Sequence, residues 1–208
     1  SYGMVDLPDG KMKSREGNVV DADDLMLKMK ATAKEISSKL GKLEGYSKKE
    51  KNDLYGKISL GALKYYILKV DPRKTMLFDP AKSIDFNGNT GPFIQYTYAR
   101  IQSILKSNDI DSDVKLPEKL DPKETLIIKQ LILYPEIIEQ SLKSFSPAVI
   151  SNYIYELVKR FNSFYQNIPI LGAMCITKKN FRLLLLKNVA TNLYNSCDLL
   201  GIKLPERM

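Results

Sequence analysis

A short basic loop lies between residues 10 and 20. At a glycine-flanked turn it carries ammonium, hydroxyl and guanidinium groups, on Lys11, Lys13, Ser14 and Arg15. Together with exposed backbone N–H groups, such side chains stabilise the negative charge that develops on transferred or leaving phosphates. We therefore expect nucleotide chemistry at this loop, although a solvated basic loop has the same composition.

A second set of residues could bind RNA. Gln95, Tyr96 and Arg100 follow one another on a predicted helix, and aromatic rings beside amide and guanidinium groups can stack unpaired bases and read their edges. For all three residues, burial in the core is the alternative to RNA binding. For the neighbouring Phe93, burial in the core is the favoured interpretation. Basic residues on the last predicted helix could contact phosphates, or could form a solvated face: Lys178, Lys179, Arg182 and Lys187.

Composition limits the chemistry. The 208 residues include no histidine and two cysteines, with a formal net charge of +8. Because histidine is absent and Cys175 and Cys197 lie far apart, we expect no metal site and no histidine-based acid–base catalysis. Both cysteines are predicted to be reduced core residues. The positive charge favours a polyanionic partner, although it is also compatible with simple solubility.

The elements that must position these groups are mainly helices. Apolar residues at helical spacing predict a helix after Asp21, and the capping-box pattern of 47–50 predicts a second helix that ends before Pro72. Residues 75–78 are expected to form a strand or an extended connector. The Asn- and Gly-rich segment 87–91 predicts a break.

The second half of the chain is predicted to be an all-helical bundle of four to five helices. The starts of four helices are indicated by prolines that suit a first helical turn: Pro92, Pro122, Pro135 and Pro147. The last helix is predicted to begin near Thr177 and to be closed by Gly201. Residues 107–119 are expected to be a linker. The fold class is therefore mainly α.

Residues 2–21 resemble the segment of class I aminoacyl-tRNA synthetases that contains their KMSKS loop. Lys11 and Met12 match the first two positions of that loop, while Ser14 stands where the consensus has its second lysine. The resemblance implies that Lys11, Met12 and Arg15 bind ATP phosphates, with Mg²⁺ as the counterion of the nucleotide. It also implies that Lys11, Lys13 and Ser14 take part in catalysis by steadying the pyrophosphate leaving group.

Three further segments narrow the resemblance to arginyl-tRNA synthetases. Residues 85–100 are similar to their Gly-x-Thr-Gly-Pro-aromatic-x-Gln-Tyr segment, residues 199–208 to their C-terminus, and residues 61–69 also fit. The resemblance implies the end of a catalytic domain over 1–86 and a DALR-type anticodon-binding domain over 87–208. It also implies that Met208 lies near the anticodon, and that the partners are tRNA-Arg, with arginine and ATP in the parent enzyme.

The family's histidine-rich ATP motif and its parallel-sheet pattern are missing from this sequence. We therefore expect a fragment of an arginine–tRNA ligase that binds tRNA and is inactive alone. A cytoplasmic monomer that binds neither membrane nor DNA is expected. Two alternatives stay open: a noncatalytic basic helical RNA-binding module, and a fragment of another class I synthetase of the cysteinyl or methionyl type.

Overall fold

The computed structural model describes residues 3–6, 8, 21–39, 43–110, 114–173 and 175–208, and within them the chain is mainly helical. The predicted fold class is therefore confirmed. The helices are α1 (Ala22–Lys39), α2 (Lys48–Leu68), α3 (Pro80–Ser83), α4 (Gly91–Lys106), α5 (Pro122–Ile132), α6 (Tyr134–Ser144), α7 (Ala148–Asn167) and α8 (Ile176–Leu199). Two short strands, β1 (Val5–Asp6) and β2 (Met76–Leu77), pair in parallel.

Local capping sets the first two helices. The Asp21 carboxylate accepts a hydrogen bond from the backbone N–H of Asp23 at 2.8 Å at the start of α1. At the start of α2, the Ser47 hydroxyl accepts from the N–H of Glu50, and the Glu50 carboxylate accepts from the N–H of Ser47. These bonds satisfy amide groups that a helix terminus leaves without partners. Both predicted helices are confirmed.

A small core lies between α1, α2 and the segment that follows them. Its buried members are Met29, Ala33, Leu54, Ile58, Ala62, Met76, Phe78 and Ile84. The segment 75–78 contains a strand because β2 pairs with β1, a partner more than seventy residues earlier in sequence. The turn α3 is an addition to the predicted elements, and Asp79 caps it by accepting from the N–H groups of Ala81 and Lys82.

The helices from α4 to α8 form the predicted bundle around a larger core. α7 lies at its centre, and its fully buried side chains include Ile154, Leu157, Val158, Phe161 and Phe164. Pro122 lies in the first turn of α5, whereas Pro147 takes the N-cap position of α7. The number of helices agrees with the prediction of four to five.

α2 joins the two cores. Ala62 belongs to the smaller one, and Tyr65 to the larger one. α2 and α4 approach closely at Gly61 and Gly91, where a Cβ atom on Gly91 would lie 2.4 Å from the carbonyl oxygen of Gly61. The boundary between domains 1–86 and 87–208 stays a prediction. In the ranges described above, none of the helices is both long and apolar enough to cross a bilayer.

Candidate nucleic-acid interface

α4 presents the predicted aromatic and basic residues on one edge of the bundle. Thr90 starts the helix by accepting a hydrogen bond from the N–H of Phe93. One face of α4 is buried against α2, α7 and α8, through Ile94, Tyr98 and Ile101. Because Arg100 follows Tyr96 by four positions, both side chains lie on a common, half-buried edge of the helix.

The Arg100 guanidinium lies between two aromatic rings. Its Cζ atom is 4.9 Å from the ring centroid of Tyr96 and 4.8 Å from that of Tyr165 on α7. The Arg100 Nη1 group donates to Oδ1 of Asn162 at 3.0 Å, and Asn162 in turn donates to Oγ1 of Thr97. Tyr165 also stacks on Phe161, with an interplanar angle of 30°. The guanidinium plane is thus held in place before any ligand binds.

The C-terminal tail completes a cleft beside these rings. Met208 lies next to Tyr96, Arg100 and Tyr165 in an open cleft of about 420 Å³, which we call the aromatic cleft. Its further lining residues are Ala99, Ser103, Ile104, Glu206 and Arg207. A methionine beside aromatic rings supplies a polarisable apolar wall.

Glu206 and Arg207 anchor the end of the tail. Lys106 forms an ion pair with Glu206 at 2.7 Å. The Arg207 guanidinium lies over the Tyr46 ring at 4.4 Å and donates to the backbone oxygen of Glu44. Burial raises the pKa of the Tyr46 phenol, against an opposing effect of the Arg207 charge. The face of the phenol ring attracts the guanidinium that lies over it.

The aromatic cleft suits single-stranded RNA. Unstacked bases bind to flat aromatic and guanidinium faces, and hydrogen bonds to their edges add specificity. The rings of Tyr96 and Tyr165 supply aromatic surface, the Arg100 guanidinium between them supplies hydrogen-bond donors, and the open cleft beside Met208 leaves room for a base.

Gln95 requires a correction, because the expectation that it contacts RNA does not agree with its burial. Its side chain is fully buried, and its Nε2 group donates to the backbone oxygens of Lys57 on α2 and Lys203 in the tail, at 2.9 Å each. Gln95 therefore holds α2, α4 and the tail together. The absence of a side chain on Gly61 leaves room for the Gln95 amide, because a Cβ atom on Gly61 would lie 2.4 Å from Nε2 of Gln95.

Arg182 requires the same correction. It is 6% exposed and pairs with Glu124, itself 1% exposed, at an N–O distance of 2.6 Å. Its Nη1 group donates to the backbone oxygen of Pro169. A guanidinium so enclosed connects α5 and α8 and has no access to a phosphate.

The remaining predicted residues lie elsewhere. Lys178 is exposed in the first turn of α8 and does not line the aromatic cleft. The loop residues predicted to bind ATP and to act in catalysis lie outside the described residues: Lys11, Met12, Lys13, Ser14 and Arg15. Among the residues that the structure describes, no cluster of three or more His, Cys, Asp or Glu side chains could hold a metal ion.

Three residues that line the cleft or hold Arg100 were missed from the sequence. Tyr165, Asn162 and Arg207 belong to α7 and to the tail, far from α4 in the chain. The aromatic-rich segment 161–165 was the available sequence signal for Tyr165, whose side chain is 38% exposed in the structure whereas Phe161 and Phe164 are buried. The sequence alone does not show that α7 packs beside α4.

Comparison with known proteins agrees with this geometry. Residues 94–208 match the family described as "DALR anticodon binding domain". The chain is 61% identical over 208 residues to a curated protein of Flavobacterium psychrophilum named arginine--tRNA ligase, and 54% identical over 214 residues to one of Parabacteroides distasonis with the same name. All of this chain is covered, but it spans only about 35% and 36% of the length of these relatives.

Solved structures show the same fold. The arginyl-tRNA synthetase of Thermus thermophilus superposes over the whole chain with a TM-score of 0.89 at 25% identity, and this chain covers 35% of that protein. The arginyl-tRNA synthetase of Plasmodium falciparum superposes with a TM-score of 0.81 at 23% identity. At this level of identity, the similarity is evidence for the fold alone. Since the family match covers more than half of the sequence and includes Tyr96, Arg100, Tyr165 and Met208, the chain belongs to the DALR anticodon-binding domain family.

Proposed function

We propose that the chain is the tRNA-binding C-terminal part of an arginine–tRNA ligase, and that it binds the anticodon loop of tRNA-Arg in the aromatic cleft. The observation that carries the proposal is the stack of Tyr96, Arg100 and Tyr165 beside Met208, inside the matched family domain. The positive net charge of +8 supports a polyanionic partner. The similarity of the whole of this chain to about a third of proteins named arginine--tRNA ligase favours this family over the cysteinyl or methionyl type and over a free-standing RNA-binding module.

In this proposal Tyr96 and Tyr165 offer faces for unpaired bases, and Arg100 supplies edge donors between them. Each base stacked on an aromatic ring contributes about 1 to 3 kcal/mol to binding, as measured by alanine substitution. Tyr96→Ala is therefore expected to weaken binding of an RNA hairpin with the anticodon stem and loop of tRNA-Arg by about 5- to 150-fold. Filter binding at fixed ionic strength measures this affinity.

Phe145→Asn is the control for that experiment. Phe145 is 85% exposed at the end of α6 and has a positive φ of 51°, which asparagine tolerates. The control is expected to bind the hairpin like the unchanged chain. Equal affinity of Tyr96→Ala and Phe145→Asn for the hairpin would contradict the proposed RNA site.

For the longer protein we propose the activation of arginine with ATP and Mg²⁺, and its transfer to tRNA-Arg in the cytoplasm. The resemblance of residues 10–20 to the KMSKS loop supports ATP use, with Lys11, Met12, Lys13, Ser14 and Arg15 toward the phosphates. The 208-residue chain is expected to be monomeric on size-exclusion chromatography and to catalyse no arginine-dependent ATP–pyrophosphate exchange. Robust ATP–pyrophosphate exchange by this chain alone would refute the proposal that catalysis requires the rest of the longer protein.

A further inference from the structure

A chain of side-chain hydrogen bonds links Arg100 on α4 to α7. The Nη1 group of Arg100 donates to Oδ1 of Asn162 at 3.0 Å, and Nδ2 of Asn162 donates to Oγ1 of Thr97 at 3.2 Å. The Thr97 hydroxyl donates to the backbone oxygen of Phe93 at 2.9 Å, so the chain of bonds ends on α4 again. Arg100 lines the aromatic cleft, whereas Asn162 and Thr97 do not.

The two tyrosine rings hold the plane of the guanidinium but leave its rotation within that plane open. A cation over an aromatic face is attracted by the quadrupole of the whole ring, so this attraction changes little as the guanidinium turns in its plane. A hydrogen bond, in contrast, weakens steeply when the donor turns away from the acceptor. The bond from Arg100 to Asn162 therefore sets the direction in which the other N–H groups of Arg100 point.

Thr97 decides which end of the Asn162 amide faces Arg100. The single hydroxyl hydrogen of Thr97 is used on the backbone oxygen of Phe93, so its oxygen accepts and needs the NH₂ group of Asn162. The amide oxygen of Asn162 then faces the guanidinium. The reverse orientation of the amide would place its NH₂ group against Arg100, where two donors would meet.

We propose that Asn162, oriented by Thr97, is a positioning residue that sets the discrimination between loop bases through Arg100. This inference rests on the proposed function, because it concerns the base that Arg100 contacts in the aromatic cleft. Base edges differ in their pattern of donors and acceptors, so reading an edge requires N–H groups at a defined angle. A guanidinium that turns in its plane still attracts RNA by its charge, but it distinguishes the edges less well.

Thr97→Val tests the chain of bonds from a position that RNA does not reach, because the Thr97 side chain is fully buried. Valine has nearly the same shape and leaves Asn162 without its acceptor. The variant is expected to bind the anticodon hairpin about 3- to 10-fold more weakly, the effect of one oriented hydrogen bond. Its affinity for a hairpin with the same stem and an abasic anticodon is expected to stay unchanged, since no base edge is read there.

A double-mutant cycle separates positioning from general stabilisation of the bundle. Asn162→Leu is expected to weaken hairpin binding by about 3- to 10-fold when Arg100 is present. In a chain that already carries Arg100→Met, the same substitution is expected to have no further effect on affinity, because the group that it positions is gone. All affinities are measured by filter binding on the folded fraction.

Ser163→Ala is the matched control on α7. It also removes a side-chain hydrogen bond between helices, because Ser163 accepts from Nζ of Lys123 on α5 at 2.9 Å. The control is expected to lower the urea midpoint about as much as Asn162→Leu, and to bind the anticodon hairpin like the unchanged chain. A decrease in affinity that merely follows stability would therefore appear in Ser163→Ala as well.

The outcomes separate this inference from the proposed function. Equal losses from Asn162→Leu with and without Arg100→Met overturn the positioning role, and so does unchanged discrimination between the two hairpins in Thr97→Val. If Tyr96→Ala still weakens binding in that case, the aromatic cleft binds RNA without the positioning role of Asn162. If Tyr96→Ala binds the hairpin as well as Phe145→Asn does, the proposed function fails, and this inference fails with it.

Discussion

Glu124→Gln tests the buried ion pair that links α5 to α8. The two oxygens of Glu124 have different partners: Oε1 accepts from Nε of Arg182 at 2.6 Å, and Oε2 accepts from the N–H of Asp121 at 2.7 Å. Glutamine has a single amide oxygen, so it can accept from one of these donors while its NH₂ group faces the other. The substitution thus leaves the Arg182 charge without a carboxylate at a site where that residue is 6% exposed.

Removing one partner of a buried ion pair costs about 3 to 5 kcal/mol. Because glutamine keeps the volume of the side chain and one hydrogen bond, we expect the lower end, about 3 kcal/mol. For a protein of this size such a loss lowers the melting temperature by about 6 to 12 °C. Urea unfolding followed by circular dichroism at constant protein concentration measures the change in the midpoint.

Glu156→Gln is the control, since the same substitution there breaks an exposed pair. Lys159 and Glu156 are 2.7 Å apart, with side chains 47% and 46% exposed. Exposed pairs contribute at most about 1 kcal/mol, so the control midpoint is expected to move little. Midpoints that shift equally in Glu124→Gln and Glu156→Gln would refute the structural assignment.

Replacing both partners separates an unpaired charge from a loss of packing. Glu124→Leu combined with Arg182→Met leaves no buried charge and is expected to recover part of the stability that Glu124→Gln loses. Measured on the folded fraction, the affinity of Arg182→Met for the anticodon hairpin is expected to equal that of the unchanged chain. A roughly tenfold decrease there, about 1.4 kcal/mol, would return Arg182 to the RNA-contacting residues.

Two further predictions concern close packing and thiol reactivity. Gly91→Ala is expected to destabilise the chain by about 1 to 3 kcal/mol, because its Cβ would meet the Gly61 backbone at 2.4 Å. Gly56→Ala, in open space, is expected to stabilise the chain by about 0.5 to 1 kcal/mol in the same urea assay. A change in stability of the same sign for both variants would contradict the packing. Iodoacetamide is expected to label the exposed Cys175 before the buried Cys197. The thiolate is the reactive form, and a hydrogen bond from the N–H of Lys178 lowers the pKa of the Cys175 thiol, so its labelling rate is expected to be half-maximal below pH 9. Burial raises the pKa of Cys197 to about 12. Mass spectrometry that finds Cys197 labelled in the native chain at the rate of Cys175 would contradict its burial.

The predicted cysteine environments were therefore half right. Cys197 is a buried core residue as expected, but Cys175 is exposed at the N-cap of α8. Its position just before the predicted helix start at Thr177 was a usable signal, because a capping residue lies at a helix end and helix ends are commonly exposed.

Helix positions could be predicted because their determinants are local. The capping boxes of Ser47 with Glu50 and of Asp121 with Glu124 act over three residues, and both patterns are visible in the sequence. The pairing of β1 with β2 was not predicted, since two residues in each strand carry no periodic signal and their partners are distant in the chain.

The sequence by itself determined the helical class, most helix starts and the family resemblance, since these depend on neighbouring residues and on ordered motifs. Only the tertiary structure decided which polar side chains are accessible. Gln95 and Tyr96 are adjacent in sequence, yet α2 and the tail enclose the first and leave the second beside a cleft. The reason is physical: a residue's helix face follows from its position in the helix, but whether that face is covered depends on which distant segment packs against it.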